Sequence, residues 1–424
     1  MKKIILLICF IVTASSTFAQ IRLYENFDYP VGDSIGAHGW NWNTGVVNTI
    51  FVSSPGLSYA GYPLSDIGSS ARIRNNGNDA YKNFPADSTG VLYASFMVTV
   101  DSIKTAGDYF VALISPTSTS NYVARFWARD TAGALSFGLS KTTVGNGGIF
   151  YTPGLYSLGT TYTVVIKYTF NPGIADDQMS AFIFSSGIPA TEPGSATIGP
   201  VTGTANDAPI GRFAVRQGST ASSPTLNIDG IRVSDNWFGN YLQVKFAIQG
   251  LAVASITTTD TMQISLRNIA SPHAIVDQSI SNVGLFSGVG TGAFEFFTAA
   301  PGSYFVVGSW RNNPSFKNGI NTWSAAGVPL VSGSGTVYDF TSAASKAFGN
   351  NQKLIGTVYT MYNGDPIQDG TINLADILAI SNDITAFAIG YRNTDINGDL
   401  VTTLPDLLIS FNNGAGFVHQ ISPP

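Results

Sequence analysis

Cysteine is almost absent from the chain: the only one, Cys9, lies within the first twenty residues. Those residues have the form of a secretory signal peptide, with two lysines before a short apolar run and the small residues Thr17 and Ala19 ahead of a cleavage point. Residues 1–19 are therefore predicted to be removed. The mature chain then has no disulfide, no thiol nucleophile and no cysteine-ligated metal. Its predicted location is secreted, extracellular or at the cell surface.

Charged residues are also scarce, 11% of the chain against a typical ~25%. Acidic residues outnumber basic ones, and the net charge of −5 argues against nucleic acid and anionic membranes as partners. After the signal peptide, no apolar run approaches the ~20 residues of a membrane helix. The sequence thus predicts a protein without a membrane span.

Familiar catalytic motifs are missing as well. The three histidines are far apart in sequence, and there is no HExxH, GxSxG or phosphate-binding loop. Glycoside hydrolases on jelly-roll folds often carry E-x-D-x-E on one strand, since hydrolysis needs paired carboxylates. Glu25 and Glu192, the glutamates of residues 20–240, have no acid two residues later. The sequence therefore predicts a protein that is not an enzyme and has no catalytic residues.

What the chain does contain is β structure: 45 Gly, 18 Tyr and 27 Phe accompany many short aromatic and β-branched runs. Segments such as "VLYASFMVTV" and "YTVVIKYTF" are separated by Gly, Pro and Asn turns, a spacing typical of an antiparallel sandwich or jelly roll. "YENFDYPVGDSIGAHGWNW" and "LNIDGIRVSDNW" resemble the opening and closing segments of concanavalin A-like (laminin-G-like) jelly rolls in exported bacterial proteins. The resemblance assigns residues 20–240 to such a domain. It implies that the first and last strands pair, bringing Phe27 and Ile231 into one sheet.

A second β segment, residues 241–358, begins at "YLQVKFAIQGL" and continues through further strand patterns and turns. It is predicted to be an immunoglobulin- or transthyretin-like β sandwich. The order of its motifs is similar to a linker sandwich that precedes dockerin-like tails in secreted bacterial proteins. Its predicted role is structural.

The C-terminal residues change character and repeat themselves. From Asn363 onward, seven Asp and a single basic residue, Arg392, concentrate most of the net charge. The first loop, "GDPIQDGTINLAD" (364–376), and the second loop, "TDINGDLVTTLPD" (394–406), match at an offset of thirty. Each is followed by the apolar spacing of a short amphipathic helix. An acidic, solvated tail is the simpler interpretation, and the duplicated spacing argues against it.

The spacing of oxygen-bearing residues in both loops predicts calcium. Ca²⁺ takes roughly six to eight oxygens, which a loop of about twelve residues supplies from positions 1, 3, 5, 7, 9 and 12. In the first loop Ile367 at position 3 has no oxygen, and in the second Leu400 stands where glycine is preferred. The second loop keeps more ligands and is predicted to bind the tighter ion. The predicted ligands are Asp365, Asp369, Thr371, Asn373 and Asp376 in the first loop, and Asp395, Asn397, Asp399, Val401, Thr403 and Asp406 in the second. Turns and helix caps without metal are the alternative.

The paired loops and helices resemble the type I dockerin duplication, because position 12 is Asp and a helix follows each loop. The resemblance implies a small α-helical, calcium-stabilised module over residues 359–424 that docks a cohesin-like partner through its helix faces. Docking on its own chain is the alternative, since the tail is fused to a sandwich. The predicted faces carry Ser381, Asn382 and Asp383 in one copy and Ser410, Asn412 and Asn413 in the other.

Four aromatic residues near the N-terminus, Trp40, Trp42, Tyr59 and Tyr62, are candidates for stacking on sugar rings, with closure of the sandwich core as the alternative. The leading hypothesis is a secreted protein that binds a polysaccharide or surface glycan and carries a calcium-stabilised tail. A structural, self-associating surface or fibre protein is the second hypothesis, because low charge and exposed sheet edges favour edge pairing. A glycoside hydrolase is the third.

Overall fold

The computed structural model describes residues 21–43, 47–118, 120–142, 148–311, 315–332 and 335–424. The predicted signal peptide, residues 1–19, lies outside the described residues. The described chain is mainly β, as the sequence predicts, with two sandwiches followed by a small helical tail. Every helix in these ranges is too short or too polar to cross a lipid bilayer.

Two antiparallel sheets form the first sandwich. Its strands are β1 (Ile21–Glu25), β2 (Asn41–Trp42), β3 (Phe51–Ser53), β4 (Ser70–Ile73), β5 (Ala80–Asp87), β6 (Val91–Ser102), β7 (Asp108–Ile114), β8 (Tyr122–Thr131), β9 (Ala134–Ser140), β10 (Phe150–Tyr151), β11 (Thr161–Thr169), β12 (Gln178–Phe184), β13 (Ile198–Val201), β14 (Ile210–Val215) and β15 (Thr225–Ser234). The eight-stranded sheet has the order β13-β12-β11-β6-β15-β4-β3, with β1 beside β15. The seven-stranded sheet has the order β10-β9-β8-β7-β14-β5-β2.

The first and last strands of this sandwich pair, as the jelly-roll resemblance implies. β1 runs antiparallel to β15, with Glu25 opposite Ile231. Phe27 follows just after β1 and is fully buried, so it packs in the core beside this pair. The prediction that the first and last strands pair is confirmed, but the prediction that Phe27 lies in the sheet with Ile231 is wrong, because β1 ends at Glu25.

Phenylalanine fills the space between the two sheets. The ring of Phe96, on the eight-stranded sheet, makes edge-to-face contacts with Phe110, Phe126 and Phe213 on the seven-stranded sheet. These rings point inward because side chains alternate along a strand, so their neighbours in sequence point outward. The core thus supports a rigid outer face on the seven-stranded sheet.

The second sandwich is smaller and more irregular. Its strands are β16 (Asn240–Ala247), β17 (Thr258–Arg267), β18 (Ile275–Leu285), β19 (Val289–Phe296), β20 (Gly302–Trp310), β21 (Thr322–Trp323), β22 (Val328–Leu330), β23 (Thr336–Asp339), β24 (Lys353–Ile355) and β25 (Val358–Thr360), with helix α1 (Gln249–Ala254) after β16. The sheets have the orders β19-β16-β23 and β18-β17-β20-β21, with β22 beside β20, and β24-β25 forms a hairpin. Phe246, Phe294 and Trp310 pack between them.

A buried ion pair joins the two sandwiches. Arg232 on β15 and Glu295 on β19 are both fully buried, and Nη2 of the arginine lies 2.9 Å from Oε2 of the glutamate. The hydroxyl of Tyr24 and the backbone N–H of Gly239 donate to the same carboxylate. The predicted boundaries at 240 and 358 stay predictions, and the first of them falls beside this packed contact.

The tail contains two short helices, as predicted from the apolar spacing. They are α2 (Leu374–Thr385) and α3 (Leu404–Ala415), and three short 3₁₀ segments occur earlier, at Ile35–His38, Ala344–Lys346 and Phe348–Asn350. Ile380, Ile396 and Ile409 make a small core between the helices and the second loop. So few buried side chains contribute little hydrophobic stabilisation, and the tail depends on other contacts.

Candidate functional site

The first loop is organised around its own backbone amides. Asp365 accepts hydrogen bonds from the backbone N–H groups of Gln368, at 2.7 Å, and Gly370, at 3.0 Å. Asp376, in the first turn of α2, accepts from the backbone N–H of Asn373 at 2.9 Å. Two of the predicted ligands are therefore fixed by backbone donors at the two ends of the loop.

The second loop repeats this arrangement thirty residues later. Asp395 accepts from the backbone N–H groups of Gly398, at 2.9 Å, and Leu400, at 3.3 Å. Asp406, in the first turn of α3, accepts from the backbone N–H of Thr403 at 2.8 Å. The sequence duplication therefore corresponds to a duplicated local structure.

Position 6 of each loop requires a left-handed backbone. Gly370 has a φ of +83°, which glycine adopts without steric cost. Leu400 has a φ of +67° at the equivalent position, where its Cβ costs roughly 1 kcal/mol. The second loop is thus strained at the residue where the sequence predicts strain.

The loop carboxylates carry uncompensated charge. Burial, together with the charge of the neighbouring Asp376, raises the pKa of Asp365 to about 6. Burial also raises the pKa of Asp395 to about 6, although the Arg311 guanidinium acts in the opposite direction. Hard carboxylate and carbonyl oxygens whose negative charge is poorly solvated are the donor set that Ca²⁺ prefers.

These carboxylates have the chemistry of calcium ligands, but their oxygens do not converge on one point. Among the described residues, the group of three acidic side chains with oxygens within 4.8 Å of one another is Asp176, Asp177 and Asp207, in the first sandwich. In neither loop do the three carboxylates form such a group. One member of the cluster in the first sandwich has a lysine partner: the ammonium of Lys141 lies 2.6 Å from Asp207. The cluster is therefore a lysine-paired turn.

The tail docks on its own chain, the second of the two predicted arrangements. The backbone oxygen of Asn318, in the second sandwich, accepts from the N–H groups of Gly364 and Asp365 at 2.7 and 2.8 Å. The side-chain amide of the same residue donates to the carbonyl of Asp395 at 2.9 Å. One buried asparagine therefore holds the starts of both loops.

The helix faces predicted for an external partner are partly occupied by this docking. Asn413 donates to the side chain of Gln249 in α1 at 2.7 Å, and Ser410 donates to the carbonyl of Gly364 at 2.9 Å. Both are buried, so the prediction that they face a partner is wrong. Asn382 and Asn412 are exposed. Cohesin docking and self-association stay predictions.

The predicted sugar-stacking aromatics do not form an exposed platform. Trp40, Tyr59 and Tyr62 are 3%, 6% and 0% exposed, and Trp42 is half-buried. The indole N–H of Trp40 donates to Glu25 at 3.1 Å, and the hydroxyl of Tyr62 donates to a backbone carbonyl. The stacking prediction is wrong for the three buried rings. Trp40 packs in the core of the first sandwich, as the alternative held, whereas Tyr59 and Tyr62 pack in a separate cluster with Met97 and Ala293.

An exposed arginine-rich surface lies elsewhere, on the outer side of the seven-stranded sheet. In β8, Arg125 and Arg129 flank Trp127, and the residues between them point into the core. Arg212 in β14 and Arg216 just after it repeat this spacing on a nearby strand. We define the arginine–aromatic face as Arg125, Arg129, Arg212, Arg216, Tyr81, Tyr109, Tyr122, Trp127 and Tyr151. The sequence contains the signal, because "RFWAR" and "RFAVR" place two arginines on one side of a strand.

Each outer arginine of the face lies over a tyrosine ring. The guanidinium carbon of Arg129 is 3.7 Å from the ring centre of Tyr151, and that of Arg212 is 4.4 Å from the ring centre of Tyr81. Such stacking holds a planar guanidinium in one orientation and leaves its edge available for hydrogen bonds. All four residues are partly exposed.

The centre of the face is an aromatic cluster beneath two more arginines. Tyr109 has the guanidinium carbons of Arg125 and Arg216 at 4.7 and 4.4 Å from its ring centre. The rings of Trp127 and Tyr122 lie 5.2 and 5.9 Å from the same ring. These three rings are buried under the arginines, so the accessible groups at the centre are guanidinium edges.

Most of the positive charge on this face is unpaired. Arg216 forms ion pairs with Asp108, at 2.6 Å, and Asp79, at 3.6 Å. In the part of the chain that the structure describes, Arg125, Arg129 and Arg212 form no ion pair, and the remaining segments contain no Asp or Glu. Burial lowers the pKa of Arg125, and the charge of Arg216 lowers it further. The group nevertheless stays cationic at neutral pH.

A polar cleft of about 530 Å³ lies between the two sandwiches. Its most buried carboxylate, Glu25, is engaged by the indole of Trp40, the hydroxyl of Tyr29 and the ammonium of Lys82. Asp28 lines the same cleft, and burial, with the charge of Glu25, raises its pKa to about 6. Because Glu25 is held by these structural contacts, the cleft is a weaker candidate site than the arginine–aromatic face.

Comparison with known proteins finds weak structural likenesses only. No protein-family model matches the chain, and no curated protein is significantly similar in sequence. Among solved structures, domain 4 of AbnA, a GH43 extracellular arabinanase from Geobacillus stearothermophilus, in complex with arabinotriose, is 15% identical, with a TM-score of 0.31 over 51% of this chain and 93% of that one. A bifunctional GH43-CE protein of Bacteroides eggerthii is 14% identical, with a TM-score of 0.31 over 52% of this chain and 26% of that one. Cip1, a cellulose induced protein, is 11% identical, with a TM-score of 0.30 over 49% of this chain and 98% of that one.

The prediction that the protein is not an enzyme is contradicted by the glycoside hydrolases among these similar structures. The prediction rested on the absence of paired acids on one strand. Hydrolysis requires two carboxylates at a suitable separation, and these can come from different strands or loops. A local motif search therefore cannot exclude the activity. At these identities the likenesses transfer no ligand or reaction to this chain.

Proposed function

We propose that the protein binds carbohydrate on the arginine–aromatic face of its first sandwich, in a secreted or cell-surface setting. The observation that carries the proposal is the stacking of Arg129 on Tyr151 and of Arg212 on Tyr81, at 3.7 and 4.4 Å. These two pairs lie on a broad sheet face that the phenylalanine core makes rigid. An extended polysaccharide fits a surface of this kind better than a compact substrate does.

The chemistry of the face suits sugars. A sugar ring presents hydroxyl oxygens at its edge and C–H groups on its faces, and guanidinium groups donate up to about five hydrogen bonds from a flat fork. Half-buried tyrosine rings supply apolar contact beside those donors. Because each arginine is already oriented by its tyrosine, binding loses less side-chain entropy than it would with free arginines.

Affinity electrophoresis of the full chain in gels containing a panel of neutral and acidic polysaccharides tests this proposal. We expect retardation by at least one polysaccharide, and a loss of about thirtyfold in affinity in a Tyr81→Ala/Tyr151→Ala variant, since each of the two aromatic contacts contributes about 1 kcal/mol. Tyr359→Ala, in the hairpin of the second sandwich, is the control and should bind normally. Retardation that survives loss of both face tyrosines, or none with any polysaccharide, contradicts the proposal. Reducing ends released from the same panel report hydrolysis.

We also propose that the loops of the tail bind Ca²⁺. The side chains of Asp365, Asp369 and Asp376 would hold the ion in the first loop, and those of Asp395, Asp399 and Asp406 in the second. Bound Ca²⁺ would supply the positive charge that the half-buried carboxylates lack. Arg311, 3.9 Å from Asp395, offsets part of that charge in the second loop and opposes the tighter binding predicted there.

Calorimetric titration of the full chain with Ca²⁺ tests this second proposal. Asp376→Asn and Asp406→Asn should each remove one binding event, because each replaces the final carboxylate of a loop. Chelation by EGTA should lower the melting temperature of the unaltered chain. Asp176→Asn, in the lysine-paired turn, is the control and should leave the titration unchanged. The absence of heat, together with melting that is indifferent to EGTA, would show that caps and turns alone order the tail.

A further inference from the structure

We infer that the ligand of the arginine–aromatic face is an acidic polysaccharide whose sugar carboxylates bind the unpaired arginines. This inference rests on the proposed carbohydrate binding and specifies the class of glycan. It depends on three observations: cations without acidic partners, guanidinium groups fixed in orientation, and the distance between them along the strands.

The first observation is that Arg125, Arg129 and Arg212 form no ion pair among the described residues, although Asp108 lies close enough to Arg125 to raise its pKa. Most arginines elsewhere in the described chain have acidic partners, and Arg74 and Arg267 are the exceptions. Arg22 pairs with Asp87, Arg232 with Glu295, and Arg311 with Asp260. In a chain with net charge −5, three partly buried and unpaired arginines on one sheet face are a marked concentration of positive potential. Such a surface attracts anions and disfavours neutral ligands that leave the charges unmatched.

The second observation is that protein contacts leave specific edges of these groups free. Arg212 donates Nε to Asn83 at 3.0 Å and Nη1 to the carbonyl of Ser118 at 2.7 Å, so Nη2 remains for a ligand. The Nε of Arg129 is buried and has no hydrogen-bond partner among the described residues, so it is out of reach of a ligand, and the Nη groups of this partly exposed side chain are the donors that remain. A guanidinium with an unsatisfied edge, held flat on a ring, matches the planar oxygens of a carboxylate.

The third observation is spacing. Arg125 and Arg129 are four residues apart on β8, and Arg212 and Arg216 are four residues apart along β14, which places each pair about 13 Å apart. A single small anion cannot contact both members of a pair. A polymer with a carboxylate on successive sugars can contact several arginines at once, and the second contact then forms at high effective concentration.

A nucleic acid is the other anionic polymer to consider, and the charge of the protein disfavours it. Affinity for nucleic acid grows with the number of phosphates that lysine and arginine neutralise. Here three unpaired arginines are available, in a chain with an excess of acidic residues. Sugar carboxylates also come with hydroxyl groups and ring faces that suit the tyrosines.

The test compares polysaccharides that differ only in charge. Full-length protein is titrated with polygalacturonate, alginate and hyaluronan, and with the carboxyl-reduced form of each. We expect at least one acidic form to bind at least about tenfold more tightly than its reduced form, and less tightly as salt is raised. Arg129→Gln/Arg212→Gln should lose about tenfold or more in affinity for the acidic form. Arg212→Lys, which keeps the charge and loses the stacked fork, should lie between the two. Arg72→Gln, on the other sheet, is the matched control and should bind normally, and unchanged melting temperatures show that the variants fold.

Each other outcome overturns the inference in a different way. Equal binding of acidic and reduced forms, still dependent on the face tyrosines, leaves carbohydrate binding in place and refutes the acidic class. Failure of all polysaccharides, acidic and neutral, refutes both. Single-stranded DNA that binds as tightly as the best polysaccharide, with the same dependence on Arg129 and Arg212, shows a general polyanion site instead.

Discussion

At the residue scale, Asp28 has the clearest consequence for stability. Its carboxylate lies in the cleft between the sandwiches, against the backbone of Gly284, with Glu25 nearby. Burial raises its pKa from 3.8 to about 6. The folded chain therefore binds this proton more tightly than the unfolded chain does, and the ionised form is a cost to the fold.

The sign of the pH dependence follows directly. Asp28 is protonated in both states below about pH 4, and as the pH rises towards 6 the unfolded chain ionises more easily, so stability falls. Asp28→Asn should raise the free energy of unfolding above pH 6 by about 1–3 kcal/mol and have little effect at pH 4. Melting temperatures from pH 4 to 8 measure this. A variant whose pH profile parallels that of the unaltered chain would show that Asp28 is well solvated.

Single residues also show what the sequence can and cannot predict. The strain at Leu400 could be predicted from the sequence, because the position of a residue in the loop and its preferred φ are local properties. The pattern of arginines in "RFWAR" and "RFAVR" was present too, but its meaning depends on which sheet face is solvent-exposed. The burial of Trp40 and Tyr62 was not readable, because it depends on partners such as Gly230 that are distant in sequence.

At the scale of elements, the tail packs against helix α1. Gly250, inside this helix, lies so close to the second loop that a Cβ at this position would be 1.9 Å from the carbonyl oxygen of Ile396. The adjacent Gln249 exchanges hydrogen bonds with Asn413 of α3. A helix interior normally disfavours glycine, so its presence here reflects the close approach of the loop.

Substituting alanine for this glycine distinguishes helix propensity from the close approach of the loop, because the two change the stability in opposite directions. Helix propensity alone would make Gly250→Ala stabilising by about 1 kcal/mol. We expect instead a loss of about 1–3 kcal/mol, because the methyl group displaces the second loop. Thermal melting measures the loss, and limited proteolysis should cut the tail more readily. Gly194→Ala, where a Cβ meets nothing within 4 Å, is the control. A more stable Gly250→Ala variant contradicts the docking described above.

The elements of the tail were more predictable than its partner. Loop length, capping residues and apolar spacing are all local, so α2 and α3 appear where the sequence places them. Docking depends on Asn318 and Gln249, which belong to the second sandwich and carry no motif. The sequence therefore predicts that the tail docks and leaves two candidate partners open. In the folded chain, the tail docks on its own second sandwich.

At the scale of the whole molecule, the Arg232–Glu295 pair ties one sandwich to the other. Both groups are fully buried, so removing one leaves an uncompensated charge in the interface. Arg232→Met alone should cost about 3–5 kcal/mol. The double variant Arg232→Met/Glu295→Gln should lose less than the sum of the single losses, because neither charge is then left alone. Chemical denaturation of the full chain measures this, and additive losses would show that the two side chains act independently.

The pairing of β1 with β15 also constrains the order in which the chain can fold. Ile21 lies opposite Ser234, and these residues stand at opposite ends of the first sandwich in sequence. A chain synthesised from its N-terminus presents β1 long before its partner β15 is available. Contacts of such long range slow folding. β1 therefore stays unpaired until the whole of this sandwich has been synthesised, and a chaperone that binds the emerging chain would bind there.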